Sequence, residues 1–213
     1  MFEGFTPETI DFLWGIRMNN NRDWFLEHKK QYTDTLYEPM KELAKELFVP
    51  YADTPGNMMK VSRIYRDARL HHPMPYKESL WCCVRRDGDY WLERPCVFLE
   101  INPDRVMYGF AVLRPKTEYM DNFRKEISNR PQEFLDLMAK TEKETGIPVT
   151  AQLYKRPKET ENEQLKPYFA WKEAIECICY EPISETVFGR DLADRALDLF
   201  EKLEPVYRYF NRF

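Results

Sequence analysis

A chain of 213 residues with 43% hydrophobic and 15% aromatic content has enough apolar material for one sizeable core. This excludes a disordered polypeptide and favours a single domain over residues 1–213. Its 32 basic and 36 acidic side chains leave a net charge of −4, so the molecule as a whole lacks the electrostatic footprint of a non-specific nucleic-acid binder. No apolar run approaches the ~20 residues of a membrane span.

Helix signals open the chain. Thr6 is a cap, Pro7 suits a first helical position, and Ile10, Leu13 and Trp14 repeat at helical spacing, which predicts a helix ending near Met18. Asn19-Asn20-Asn21 supplies a turn and a second cap. A helical pattern then runs from Trp24, Phe25 and His28 through Leu36, Met40, Leu43 and Leu47, with Pro39 starting a new turn or a kink. Pro50 and Thr54-Pro55-Gly56-Asn57 end the helical region, and strands are expected beyond it.

Leu80 to Val84 reads as a strand, Asp87-Gly88 as a hairpin turn, and Tyr90-Trp91-Leu92 as its antiparallel return. Cys96 to Ile101 and Arg105 to Leu113 are strands joined by Asn102-Pro103-Asp104, which makes the middle of the chain an antiparallel meander. Helices follow from Thr117 and Pro131, the second ending at Gly146 and Pro148, and both are expected to cover one face of the sheet. Arg156 to Gln164 reads as an exposed loop, Leu165 to Trp171 as a short helix or turn, and Ala174 to Tyr180 as a final strand or a helical turn. Leu192, Ala196, Leu199, Leu203 and Phe210 form one stripe of a last helix despite Pro205. The expected fold class is α+β, with a central, mainly antiparallel sheet covered by N-terminal, middle and C-terminal helices.

Charge is segregated. From Lys60 to Arg86 seven basic residues face two acids, so this stretch is +5 and the remainder −9. Within it runs Lys60-Val61-Ser62-Arg63-Ile64-Tyr65-Arg66-Asp67-Ala68-Arg69, continuing to Pro75-Tyr76-Lys77. As a helix, the segment puts Arg63, Arg66 and Arg69 on one broad face, opposite Val61, Ile64, Tyr65 and Ala68. As a strand, it puts Arg63 and Arg69 on one side. Planar guanidinium forks hold carboxylate or phosphate oxygens bidentately. The expected site is therefore an anion pocket built from Arg63, Arg66, Arg69 and Lys77, lined by Tyr76 and oriented by Asp67. The competing reading is an arginine cluster that only ties a loop to the core, as in a protein-interaction domain.

His71 and His72 titrate near neutrality and would serve as proton carriers if the site were that of a phosphate-ester enzyme; a solvated loop pair is the plainer reading. His71, His72, Cys82 and Cys83 have zinc-ligand chemistry, but adjacent pairs lack the spacing of zinc modules, and no metal is expected. The five cysteines read as free thiols, with Cys177 and Cys179 on the same side of a strand. Nucleophilic triads and phosphate-cradling glycine loops are absent, so no cofactor is expected and the residues leave open whether the chain is an enzyme. The polar-aromatic run Asn19 to Trp24 is a helix start with an aromatic anchor or one wall of a pocket. The opening Met1-Phe2-Glu3-Gly4 has no charged and apolar leader, which sets the expectation of a cytoplasmic protein acting on a small anionic ligand, without membrane or nucleic acid.

At these residues the sequence resembles a bacterial family of single domains, domain of unknown function 2461. The resemblance rests on Arg63, Arg66-Asp67, Arg69, Leu70 and Tyr76-Lys77, with further likeness at Asn19 to Phe25, Ile101-Asn102-Pro103, Tyr108-Gly109-Phe110, and Phe123-Arg124 with Ile127. Leu70 stands where an aromatic is usual, and Pro73-Met74 replaces a more polar pair in a shorter loop. The resemblance implies a fold and a membership; it carries no reaction, substrate or catalytic residue to transfer.

Overall fold

Six strands, β1 (Asn57–Val61), β2 (Leu80–Arg86), β3 (Cys96–Ile101), β4 (Arg105–Val112), β5 (Thr150–Leu153) and β6 (Trp171–Pro182), join in the order β1-β2-β3-β4-β6-β5. Every pairing is antiparallel. The computed structural model describes every residue except Ala68 and Asp89, and describes Trp91 through its backbone alone. Ala68, placed opposite the arginines in the helical reading, therefore lies outside the described residues.

The helices are α1 (Pro7–Met18), α2 (Arg22–Glu27), α3 (Lys29–Gln31), α4 (Glu38–Phe48), α5 (Thr117–Asn129), α6 (Pro131–Thr145), α7 (Lys166–Phe169) and α8 (Asp191–Phe210). With the antiparallel sheet they make an α+β fold. Among the described residues no helix is long and apolar enough to cross a membrane.

Alternation along the strands decides which face is covered. Val106, Tyr108, Phe110 and Val112 of β4 are buried beneath the helices. Against them α8 lays its stripe, with Leu192, Ala196, Leu203 and Phe210 fully buried. Each such side chain contributes about 1.5–3 kcal/mol on leaving water. Two buried tyrosines tie this layer down: the Tyr51 hydroxyl donates to the Phe200 carbonyl at 2.7 Å and that of Tyr119 to the Phe210 carbonyl at 2.6 Å. α4 lies on β1 and β2, while α6 packs on α8.

The long helical pattern after Asn21 is broken into α2, α3, a π-helical turn over Tyr32–Tyr37, and α4. Pro39 is the cause. It has no N–H for the Thr35 carbonyl four residues back, and its ring crowds that oxygen. The Thr9 hydroxyl of α1 takes the vacant role and donates to the Thr35 carbonyl at 2.6 Å.

Other expectations are corrected. Tyr90-Trp91-Leu92 is not the return of a hairpin: residues 91–93 form a 3₁₀ turn, and Tyr90 has φ 57°, outside the strand region. β2 pairs instead with β3, Arg85 opposite Cys96, because the apolar run from Cys96 to Ile101 makes the better buried partner. The segment after Val61 is neither helix nor strand. β5, on the far edge of β6, carries mostly exposed side chains and so gave no apolar signal. All five cysteines are free: Cys82, Cys83, Cys96 and Cys177 are buried and Cys179 half-buried. Burial pushes the thiols of Cys83 and Cys177 up to about 11, and those of Cys82 and Cys96 higher still.

Candidate functional site

Past β1 the chain leaves the sheet as a strap. Ser62 N–H donates to the Trp81 carbonyl at 2.7 Å, and Trp81 N–H donates back to Ser62 Oγ at 3.0 Å. An isolated antiparallel bridge between Tyr65 and Tyr76 then closes a neck, with Arg66 N–H on the Pro75 carbonyl at 2.8 Å and Lys77 N–H on the Ile64 carbonyl at 2.7 Å. Ile64 and Tyr76 are buried, and the Tyr76 ring stacks on Phe25 at 4.3 Å.

The asparagine run holds this neck from the other side. Asn20 Nδ2 donates to the Tyr76 carbonyl and Asn20 Oδ1 accepts Tyr76 N–H, each at 3.0 Å. Asn19 follows the last turn of α1, its N–H on the Gly15 carbonyl, and Asn21 caps α2 by accepting Trp24 N–H at 3.0 Å. The three asparagines thus have three separate duties.

The basic residues of the motif take different partners. Arg69 is exposed and held by Asp67, whose Oδ1 accepts both the backbone N–H and Nε of Arg69 at 3.0 Å while Oδ2 takes a terminal nitrogen at 2.7 Å. The Arg69 guanidinium keeps the Asp67 carboxyl below its ordinary range. Arg66 stands 3.8 Å from Glu78, whose other oxygen accepts Arg17 Nε at 2.7 Å. Arg17 also grips Asp104 with both terminal nitrogens. Lys77 Nζ donates to the Arg63 carbonyl at 2.7 Å and lies 5.8 Å above the Trp81 ring. Burial lowers the Lys77 pKa; Lys60 and Arg66 add to this, and Glu100 opposes it. His71 and His72 are exposed in the loop beyond the neck.

Arg63 turns the other way, towards the π-helical turn. There a groove of about 300 Å³ has Phe25, Lys29, Tyr32, Tyr37, Arg63 and Tyr65 in its lining, together with one carboxylate, Glu38. Residues five apart lie about 140° apart around an α-helix. The wider π turn instead brings Tyr32 and Tyr37 together, ring centroids 5.6 Å apart. The Tyr32 pKa is raised by burial and further by the nearby Tyr37 and Tyr65 hydroxyls. Among the described residues the hydroxyls of Tyr32, Tyr37 and Tyr65, the Arg63 guanidinium and the Lys29 ammonium have no hydrogen-bond or ion-pair partner. Glu38 is engaged by Lys41 at 2.9 Å.

Lys29, Tyr32 and Tyr37 line the groove from outside the basic motif, and Tyr65 lines it from within the motif, on the side that the helical reading sets opposite the arginines. The available signal was Pro39 inside a helical pattern with tyrosines five apart. A family model described as Conserved hypothetical protein (DUF2461) matches residues 8–209. The chain belongs to that family. The DUF2461 match runs from the first turn of α1 to near the end of α8, so the strap, the neck and the groove all fall inside it. No curated protein matches the chain.

Proposed function

We propose that the tyrosine groove binds a small anionic ligand bearing phosphate or carboxylate, with Arg63 as its bidentate anchor and Lys29 as a second cation. The observation that carries this reading is the gathering of five donor groups with no acceptor among the described residues. Lys29, Arg63 and Tyr65 are exposed to water, so these donors are open to a ligand; an oxyanion offers them several lone pairs, and bonds from charged donors are about twice as strong as neutral ones. The aromatic rings add a flat apolar wall suited to a ligand with a planar or hydrocarbon part.

Arg63 is thus retained from the predicted set, Tyr76 stands behind the groove as the ring on which Phe25 stacks, and Asp67 orients Arg69 outside it. Binding is favoured over phosphate-ester chemistry because neither His71 nor His72 lines the groove, and its lining carboxylate, Glu38, is occupied by Lys41.

Thermal unfolding against a panel of phosphates, nucleotides and dicarboxylates tests the reading. A ligand at ~100 times its Kd adds ~2.7 kcal/mol. That stabilisation is expected for wild type and Arg69→Met and is expected to disappear in Arg63→Met. A panel with no stabilising member, or a shift that survives in Arg63→Met combined with Lys29→Met, overturns it.

A further inference from the structure

The helices cover one face of the sheet; the opposite face has a hollow of its own. Strand register sets two rows on that face: Trp81, Glu100, Met107 and Tyr180, then Lys60, Cys83, Phe98, Gly109 and Ile178. Gly109 has no side chain and Cys83 a short one, so the surface dips between the larger groups. The hollow measures about 320 Å³ and shares no lining residue with the tyrosine groove. Its floor and sides are mainly apolar, with Phe98, Met107, Ile178 and Leu113 beside Cys83 and Cys96; its charged lining residues are Arg105 and Glu100 at one end and Glu176, opposite Ala111, at the other.

One end is cationic. Arg105 lines it, 5.1 Å over the Tyr180 ring, and Lys77 stands just outside the lining, 5.8 Å over the Trp81 ring, with its ammonium also donating to the Arg63 carbonyl. Among the described residues Lys60, Lys77 and Arg105 enter no ion pair. The one carboxyl between them is Glu100, whose pKa burial raises, with the Ser79 hydroxyl, Arg105 and Lys77 working against the rise. Positive charge is therefore in excess where the apolar floor ends. An apolar body with a negative head complements both features at this end, whereas an alkylammonium placed there would meet like charges and would have to turn its head towards Glu176.

We infer that this hollow binds a small apolar carboxylic acid, its hydrocarbon on Phe98, Met107 and Ile178 and its carboxylate towards Lys77 and Arg105. The volume lies at the lower end of the range for small-molecule sites, about 300–1,000 Å³, which suits a medium-length chain or a single aryl ring.

Calorimetric titration of the full chain with octanoate, octanol and octylammonium tests the inference. Octanoate is expected to bind at least about tenfold more tightly than either of the others, a difference of about 1.4 kcal/mol. Lys77→Met with Arg105→Met is expected to reduce octanoate to the level of octanol. If that double variant does not fold, Glu100→Gln provides the second arm: it removes a competing carboxylate and is expected to tighten octanoate. Arg63→Met is expected to leave octanoate binding intact, so loss of the tyrosine groove and loss of this site are read separately. Equal affinity for octylammonium, indifference to the substitutions, or sedimentation showing a dimer that Phe98→Lys dissociates would overturn the proposal. The last result would assign the face to a second copy of the chain.

Discussion

Gly109 has φ 151°, and a Cβ there would meet the Cys177 carbonyl oxygen at 2.1 Å. Gly109→Ala is therefore expected to cost at least ~2 kcal/mol, through strain and displacement of β6; urea unfolding measures it, and a cost under ~0.5 kcal/mol would show that the strand shifts freely. Glu100 makes a second prediction, from its protonation. Burial raises its pKa in the folded state, so the native protein holds that proton more tightly than the unfolded chain does. Stability fully present below the unfolded glutamate value of about 4.3 is lost as pH climbs through the raised value. Glu100→Gln is expected to raise the urea midpoint relative to wild type at about pH 8 and to leave it almost unchanged at about pH 4. The opposite result at the higher pH would mean that attraction to Lys77 and Arg105 outweighs burial. Single residues were also where the site was hardest to foresee. The motif named Arg63, but its triplet spacing suggested a shared face, whereas Asp67 captures Arg69 and Glu78 approaches Arg66. No spacing rule based on 3.6 residues per turn unites Tyr32 with Tyr37.

Pro39 and Thr9 sit on different helices and act on one oxygen. Thr9→Val removes the donor to the Thr35 carbonyl and is expected to cost about 1 kcal/mol. In a Pro39→Ala background the restored N–H can serve that carbonyl, and the same substitution is expected to cost clearly less. A double-mutant cycle in urea reads the difference, and additive costs would break the link between the proline and the π turn. Asn20→Ala tests the neck in the same way. It removes both contacts to the Tyr76 backbone and is expected to cost about 2–3 kcal/mol, with faster hydrogen exchange at Arg66 and Lys77; unchanged exchange there would show that the Tyr65–Tyr76 bridge holds without it. Most elements were legible because their signals are local: Pro7, Pro131 and Gly146 bound helices, and the apolar runs of β3 and β4 stand out. The edge strand β5 was not, since most of its side chains face solvent. The return from β2 differs from the sequence expectation because Asp87-Gly88 is a strong local turn signal, while the better buried partner, β3, lies farther along the chain.

Across the whole molecule, the first residues are tied to the far end of the sequence. Phe5 bridges Phe188 in parallel, Phe2 and Phe5 are each 1% exposed, and Glu46 accepts Phe2 N–H at 2.7 Å while pairing with Arg190. Removing residues 1–5 is expected to destabilise the chain by about 3–6 kcal/mol, the burial of two phenylalanines, as measured by urea unfolding; a loss below ~1 kcal/mol would mean that the segment contributes little. This tie could not be seen in a sequence reading, because it joins segments more than 180 residues apart. The antiparallel meander from β2 to β4 could, because its partners follow one another. The cysteines recorded in the fold give the molecule a built-in stopwatch. Cys82, Cys83 and Cys96 belong to the meander, and Cys177 and Cys179 to β6. With thiolate formation suppressed by burial, an alkylating reagent reaches the buried four mainly after their surroundings part. When reagent capture outpaces reclosing, the labelling rate is the opening rate, so the order in which the two groups are modified dates the separation of one side of the sheet from the other.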